Sequence, residues 1–74
     1  MKIKVICFGH LGVYLSEGIF LEIPEGSSAG DLPACLGFEP EKVAMYFIGE
    51  ARVEFDHPLT EGDVVKMFPP ITGG

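Results

Sequence analysis

Seventy-four residues, 47 % hydrophobic and 22 % charged, describe one small domain with a real core, and the apolar share excludes a disordered chain. Five Lys or Arg against eleven Asp or Glu leave a net charge of −6, which provides no basic patch for phosphates and disfavours nucleic-acid binding. No apolar run approaches the roughly 18 residues of a membrane span, and Met1-Lys2-Ile3-Lys4-Val5 is too short and strand-like for a signal peptide, so a cytoplasmic protein is expected.

Lys2 to Phe8 reads as a strand with Ile3, Val5 and Cys7 on one face and Lys2 and Lys4 on the other; its wholly apolar second half suggests cover on both sides. Gly9 and Gly12 mark a loop. Ile19 to Ile23 forms a second strand with Ile19, Leu21 and Ile23 inward, joined to the first as a hairpin through Leu11 to Gly18. Pro24-Glu25-Gly26 ends it. Ser27 or Ser28 can cap a short helix, with Asp31 as a capping-box partner and Leu32, Cys35, Leu36 and Phe38 as its apolar stripe. Gly37 supplies the stop. Pro33 sits too deep for a helix capped at Ser28, so either the helix starts nearer Asp31 or its first turn is distorted.

Val43 to Ile48 is a nearly all-apolar run, expected as a strand covered on both sides. A short strand from Arg52 to Phe55, with Val53 and Phe55 inward, follows. Asp56-His57-Pro58 turns the chain, Leu59 anchors the turn, and Glu61-Gly62-Asp63 turns it again before the last strand, Val64 to Phe68. Two hairpins around one helix point to an α+β fold: a mixed sheet of about five strands with one short helix across it, in which the first and last strands are central neighbours. That is the β-grasp, ubiquitin-like topology, expected as a single domain over residues 1–74.

Chemistry-bearing side chains are sparse. Cys7 and Cys35 lie in apolar stretches and are expected as buried free thiols. Cys7 and His10 would point to opposite faces of a strand, and neither His10 nor His57 stands at metal-ligand spacing from the thiols, so no metal site and no catalytic dyad are expected. The informative stretch is Phe68-Pro69-Pro70-Ile71-Thr72-Gly73-Gly74. Two prolines set an extended course away from the last strand. Gly73 and Gly74, without Cβ atoms, suit a narrow channel in a partner enzyme, with the Gly74 carboxylate arriving first.

The run Pro58-Leu59-Thr60-Glu61-Gly62-Asp63-Val64-Val65-Lys66-Met67-Phe68-Pro69-Pro70-Ile71-Thr72-Gly73-Gly74 resembles the "P-L-x-x-G-D-x-V-x-x-F-P-P-x-x-G-G" ending of the MoaD/ThiS sulfur carriers. Ile23-Pro24-Glu25-Gly26 and Leu36-Gly37 also match the family's layout. Gly49 stands where the family usually has asparagine, Lys66 where it has an apolar or small residue, and Pro33 in a shortened helix region is unusual. These departures bear on the partner's identity and leave the tail intact.

The resemblance implies a carrier or non-catalytic small subunit, not an enzyme. It binds no cofactor; an E1-like adenylating enzyme uses ATP on the Gly74 carboxylate, and sulfur becomes covalently attached there as a thiocarboxylate, with Gly73 giving clearance. Phe68, Pro69, Pro70, Ile71 and Thr72 would contact partners, Phe68 and Ile71 as apolar anchors on an acidic rim, although Phe68 packed within its own strand is an equal expectation. Phe-Pro-Pro before the tail favours molybdopterin biosynthesis and the larger catalytic subunit of molybdopterin synthase as acceptor. The alternatives are a carrier for thiamine or another pathway, a ubiquitin-like modifier forming isopeptide conjugates, and a plain interaction module.

Overall fold

The computed structural model describes residues 1–9 and 17–70. Five strands form one mixed sheet: β1 (Lys2–Cys7), β2 (Ile19–Glu22), β3 (Met45–Ile48), β4 (Ala51–Val53) and β5 (Val64–Phe68). Their spatial order is β2-β1-β5-β3-β4, with β1 and β5 parallel and every other pair antiparallel. Val5 lies opposite Val65 and Cys7 opposite Met67, so the first and last strands are the central neighbours the hairpin logic anticipated. The β-grasp topology holds. The loop between β1 and β2, with His10, falls almost wholly outside the described residues.

The inner face buries Ile3, Val5 and Cys7 of β1 and Val65 and Met67 of β5 almost completely. Period-two alternation explains this, because successive side chains of a strand point to opposite faces. Tyr46 of β3 joins them, and Ala29, Leu32 and Leu59 close the core from the other layer.

That layer is shaped by Pro33. Its ring clashes with a carbonyl four residues back, and its nitrogen has no proton to donate, so regular α-helix cannot run through it from Ser28. The chain solves this with a 3-10 turn, Ala29–Asp31, followed by a single α-helical turn, α1 (Leu32–Cys35). Both expectations for Pro33 are met: the α-helix begins after Asp31, and the turn before it is distorted. The Ser28 amide donates to Asp31 Oδ2 at 2.8 Å and the Ser28 hydroxyl to the same oxygen at 3.2 Å, which ties down the start. Gly37, at φ 81°, ends the segment.

Four expectations are corrected. Cys35 is exposed: on so short a helix Leu32 and Pro33 take the inward positions, and Leu36 is half-buried. Phe55 is 67 % exposed instead of inward. Its strand ends at Val53, and the following backbone turns to pair with the other layer: the Gly30 amide donates to the Phe55 carbonyl at 2.6 Å and the Ala29 amide to His57 at 3.0 Å. This pairing also carries Leu59 inward, as expected. Finally, neither the second half of β1 nor β3 is covered on both sides. Ile6, Met45 and Phe47 are only half-buried and Phe8 is 37 % exposed, because the helical layer covers one face and nothing among the described residues covers the other.

Candidate functional site

The uncovered face gathers its aromatic side chains at the end where β5 finishes. Strand register places Phe68 opposite Met45 and Phe47 opposite Lys66, on the side away from the core. Phe8 follows the same outward alternation as Lys2 and Lys4, and its amide donates to the Met67 carbonyl at 3.0 Å. The Phe8 and Phe68 rings therefore stack, centroids 4.4 Å apart and planes within 7°. Phe47 meets Phe68 edge-on at 5.5 Å and 77°. Such pairs contribute about 0.5–1.5 kcal/mol beyond their area, so the cluster is a pre-formed surface with little side-chain freedom left to lose on docking. Phe68 belongs to this surface and not to the core.

The tail leaves the sheet from this cluster. Up to Phe68 the strand is held on both sides, by the Phe8 amide on Met67 and by the Ala44 amide on the Phe68 carbonyl at 2.8 Å. Pro69 and Pro70 have no amide proton and cannot extend the ladder, so the departure point is set by chemistry. Gly9 helps to fix the direction. Its φ is 61°, and a Cβ there would stand 2.7 Å from Pro69 Cγ and 3.3 Å from Pro69 Cδ. Only glycine permits both that backbone and that approach.

Of the residues expected to contact partners, Phe68, Pro69 and Pro70 lie together at this root. Ile71, Thr72, Gly73 and Gly74 lie outside the described residues. Sequence reasoning missed Phe8, Phe47 and Gly9 as parts of the site. The signal for Phe8 was present, since the alternation that turned Lys2 and Lys4 outward turns Phe8 outward too.

Nothing described here resembles a catalytic centre. Burial pushes the Cys7 thiol above its ordinary value of 9.0, which keeps it protonated and inert at neutral pH. Burial likewise raises Tyr46 above 10.0. Among the described residues no group of three or more His, Cys, Asp or Glu could hold a metal ion. No helix among them is long and apolar enough to cross a membrane.

Fold and site together define a β-grasp protein with a stacked aromatic face at the root of a C-terminal arm. The ThiS family model matches residues 9–74, and the chain belongs to that family. It is 59 % identical over 27 residues to the molybdopterin synthase sulfur carrier subunit of Escherichia coli (strain K12), a match spanning 36 % of this chain and 33 % of that protein. A putative molybdopterin converting factor subunit 1 from Pyrococcus furiosus superposes with a TM-score of 0.70 at 26 % identity, covering 96 % of this chain and 99 % of that one. A complex of subunits 1 and 2 of the molybdopterin-converting factor from Helicobacter pylori 26695 gives 0.63 at 24 % identity, with full coverage of both chains. The matched segment is thus about a third of the length of that sulfur carrier subunit, whereas the two solved structures are covered over essentially their whole length.

Proposed function

We propose that this protein is a cytoplasmic sulfur carrier that works by way of its C-terminal glycine, most directly in the biosynthesis of molybdopterin. The observation that carries the reading is the match to a molybdopterin synthase sulfur carrier subunit, in a chain whose arm departs from an uncovered aromatic face. A carboxylate is a poor electrophile, so the Gly74 carboxylate first attacks the α-phosphate of ATP in an E1-like partner and releases pyrophosphate. A sulfur nucleophile then displaces AMP from the acyl carbon and leaves a thiocarboxylate. The thioacid is nucleophilic at neutral pH and delivers its sulfur inside a second partner, the larger catalytic subunit of molybdopterin synthase. ATP is consumed by the activating partner, and the carrier itself holds no cofactor. Phe8, Phe47 and Phe68 provide the apolar anchor, Pro69 and Pro70 the stiff spacer, and Gly73 the clearance for a narrow channel.

The test is the intact mass of the protein after incubation with an E1-like enzyme of its host, ATP and a sulfur donor. The expected result is one oxygen-to-sulfur exchange located at the C-terminus and absent from a chain lacking Gly73 and Gly74. An unchanged mass with every such enzyme of the host would overturn the reading.

A further inference from the structure

A second surface, away from the root of the arm, lies where β4 gives way to the helical layer. Beyond Val53 the chain leaves the sheet, and the Gly30 amide donates to the Phe55 carbonyl at 2.6 Å. A Cβ on Gly30 would stand 2.9 Å from that oxygen and 3.2 Å from Phe55 Cδ2, so glycine lets the two segments close to this distance. The Phe55 ring is thus set against backbone and is still 67 % exposed. The 3-10 turn Pro40–Lys42 and Val43 run nearby. Together these segments border an open groove of about 340 Å3, lined among others by Glu41, Val43, Tyr46, Val53, Glu54 and Phe55.

The lining gives this groove a definite chemistry. Tyr46 is only 6 % exposed, yet among the described residues its hydroxyl has no hydrogen-bond partner and is not sealed from water. As Tyr46 lines the groove, that hydroxyl is free to bond a polar group entering it. The rim is acidic. Glu41 and Glu54 line it, and Glu39 and Asp56 stand exposed two residues further along the same segments. Neither Glu41 nor Glu54 makes a salt bridge among the described residues. Arg52 borders the groove as well, but it pairs with Phe47 and so directs its side chain to the other face of the sheet. The acidic rim expected around Phe68 is corrected by the same contrast: the outward position next to it on β5 is Lys66.

We propose that this groove receives an arginine side chain from a partner protein. An exposed aromatic ring attracts a cation to its face, and a planar guanidinium stacks on it. Five N–H donors suffice for the two carboxylates and the Tyr46 hydroxyl, while the methylenes of the stem lie along Val43 and Val53. An anion is opposed by Glu41 and Glu54. The net charge of −6 draws a basic partner at long range. None of the groove's lining residues belongs to the Phe8, Phe47 and Phe68 cluster, so a partner held here leaves the root of the arm uncovered. The inference does not depend on the carrier reading.

The experiment titrates the isotope-labelled full chain with the peptide acetyl-Gly-Arg-Val-amide and follows the backbone amides by two-dimensional NMR. Shifts are expected at Gly30, Val43, Val53 and Phe55 and not at Phe8 or Phe68. Phe55→Ala, Glu54→Gln and Tyr46→Phe should each weaken binding about threefold or more. Glu25→Gln makes the same charge change as Glu54→Gln on an exposed turn outside the groove and should leave binding unchanged. Phe55 and Glu54 are exposed, so their variants keep the fold, which circular dichroism checks. Acetyl-Gly-Lys-Val-amide should bind more weakly and acetyl-Gly-Glu-Val-amide not at all. A lysine peptide bound as tightly would overturn the choice of arginine. The site itself would be overturned by absent or scattered shifts, by binding of the glutamate peptide, or by equal losses in Glu54→Gln and Glu25→Gln.

Discussion

The two faces of the sheet are made by the same strands, residue by residue in alternation, and do opposite work. Ile3, Val5 and Cys7 of β1 point into the core and are almost wholly buried, while Lys2, Lys4, Ile6 and Phe8 of the same segment point out. On β5, Val65 and Met67 are inside while Val64, Lys66 and Phe68 are outside. The inner face is covered by Leu32, Pro33 and the segment around Leu59, so its apolar groups are already removed from water and hold the domain together. The outer face keeps comparable apolar groups in partial contact with water. Beyond what its aromatic pairs contribute, apolar area still in contact with water adds little to stability, and such a patch is a candidate contact surface. Stability and recognition are thus separable in this molecule, one face each, and mutation can pull them apart.

The largest effect is expected on the inner face. Leu32→Ala should cost about 2–5 kcal/mol of stability, since it removes a fully buried side chain from a well-packed site. Denaturant melts would show this directly, while partner affinity per folded molecule stays at the wild-type value. A Leu32→Ala chain that binds less per folded molecule would break the separation. Next comes Phe68→Ala, which removes the ring shared by both aromatic contacts. It should weaken binding to the larger subunit by about 2 kcal/mol or more, as an interface anchor does, and cost less in stability than Leu32→Ala. Loss of the fold instead of the affinity would return Phe68 to the core.

Smaller still is Gly9→Ala. Its positive φ and the nearness of Pro69 should cost about 1–2 kcal/mol, and the redirected arm should accept sulfur more slowly even under conditions where the chain is fully folded. Single-turnover rates for the thiocarboxylate step compare the two effects. The smallest effect concerns the thiols. Cys35 should react rapidly with a soluble thiol reagent and Cys7 only as the chain opens. Because burial raises the Cys7 value, the native thiol keeps its proton at pH values where the unfolded one has lost it. Stability is therefore unaffected below about pH 9 and falls as pH rises through the native value, a slope that Cys7→Ala should lessen in melts taken from neutral to alkaline pH. Tyr46, shifted the same way, adds to the fall above about pH 10.

Much of the fold was legible because period-two patterns report faces directly. Ile3, Val5 and Cys7 announced their side of β1, and Gly37 announced the end of the helix. Cys35 and Phe55 were misplaced for a common reason. Both sit where a short element ends, and there the backbone leaves its period to satisfy hydrogen bonds elsewhere, as the Phe55 carbonyl does with Gly30. The two-sided cover assigned to β1 and β3 failed differently. A run of apolar residues records that both faces avoid water, and not whether the domain itself or a partner covers the second one.

By itself the sequence determined the β-grasp order of elements, the place of the arm after the last strand, and the family, because these follow from local patterning and from a long matched ending. Only the tertiary structure decided that Phe8, Phe47 and Phe68 meet at the root of that arm and that Gly9 makes room for Pro69. Those relations join residues as much as 60 positions apart, Phe8 with Phe68 and Gly9 with Pro69. They are set by the pairing of β1 with β5 and of β5 with β3, which no local pattern of charge or hydrophobicity encodes.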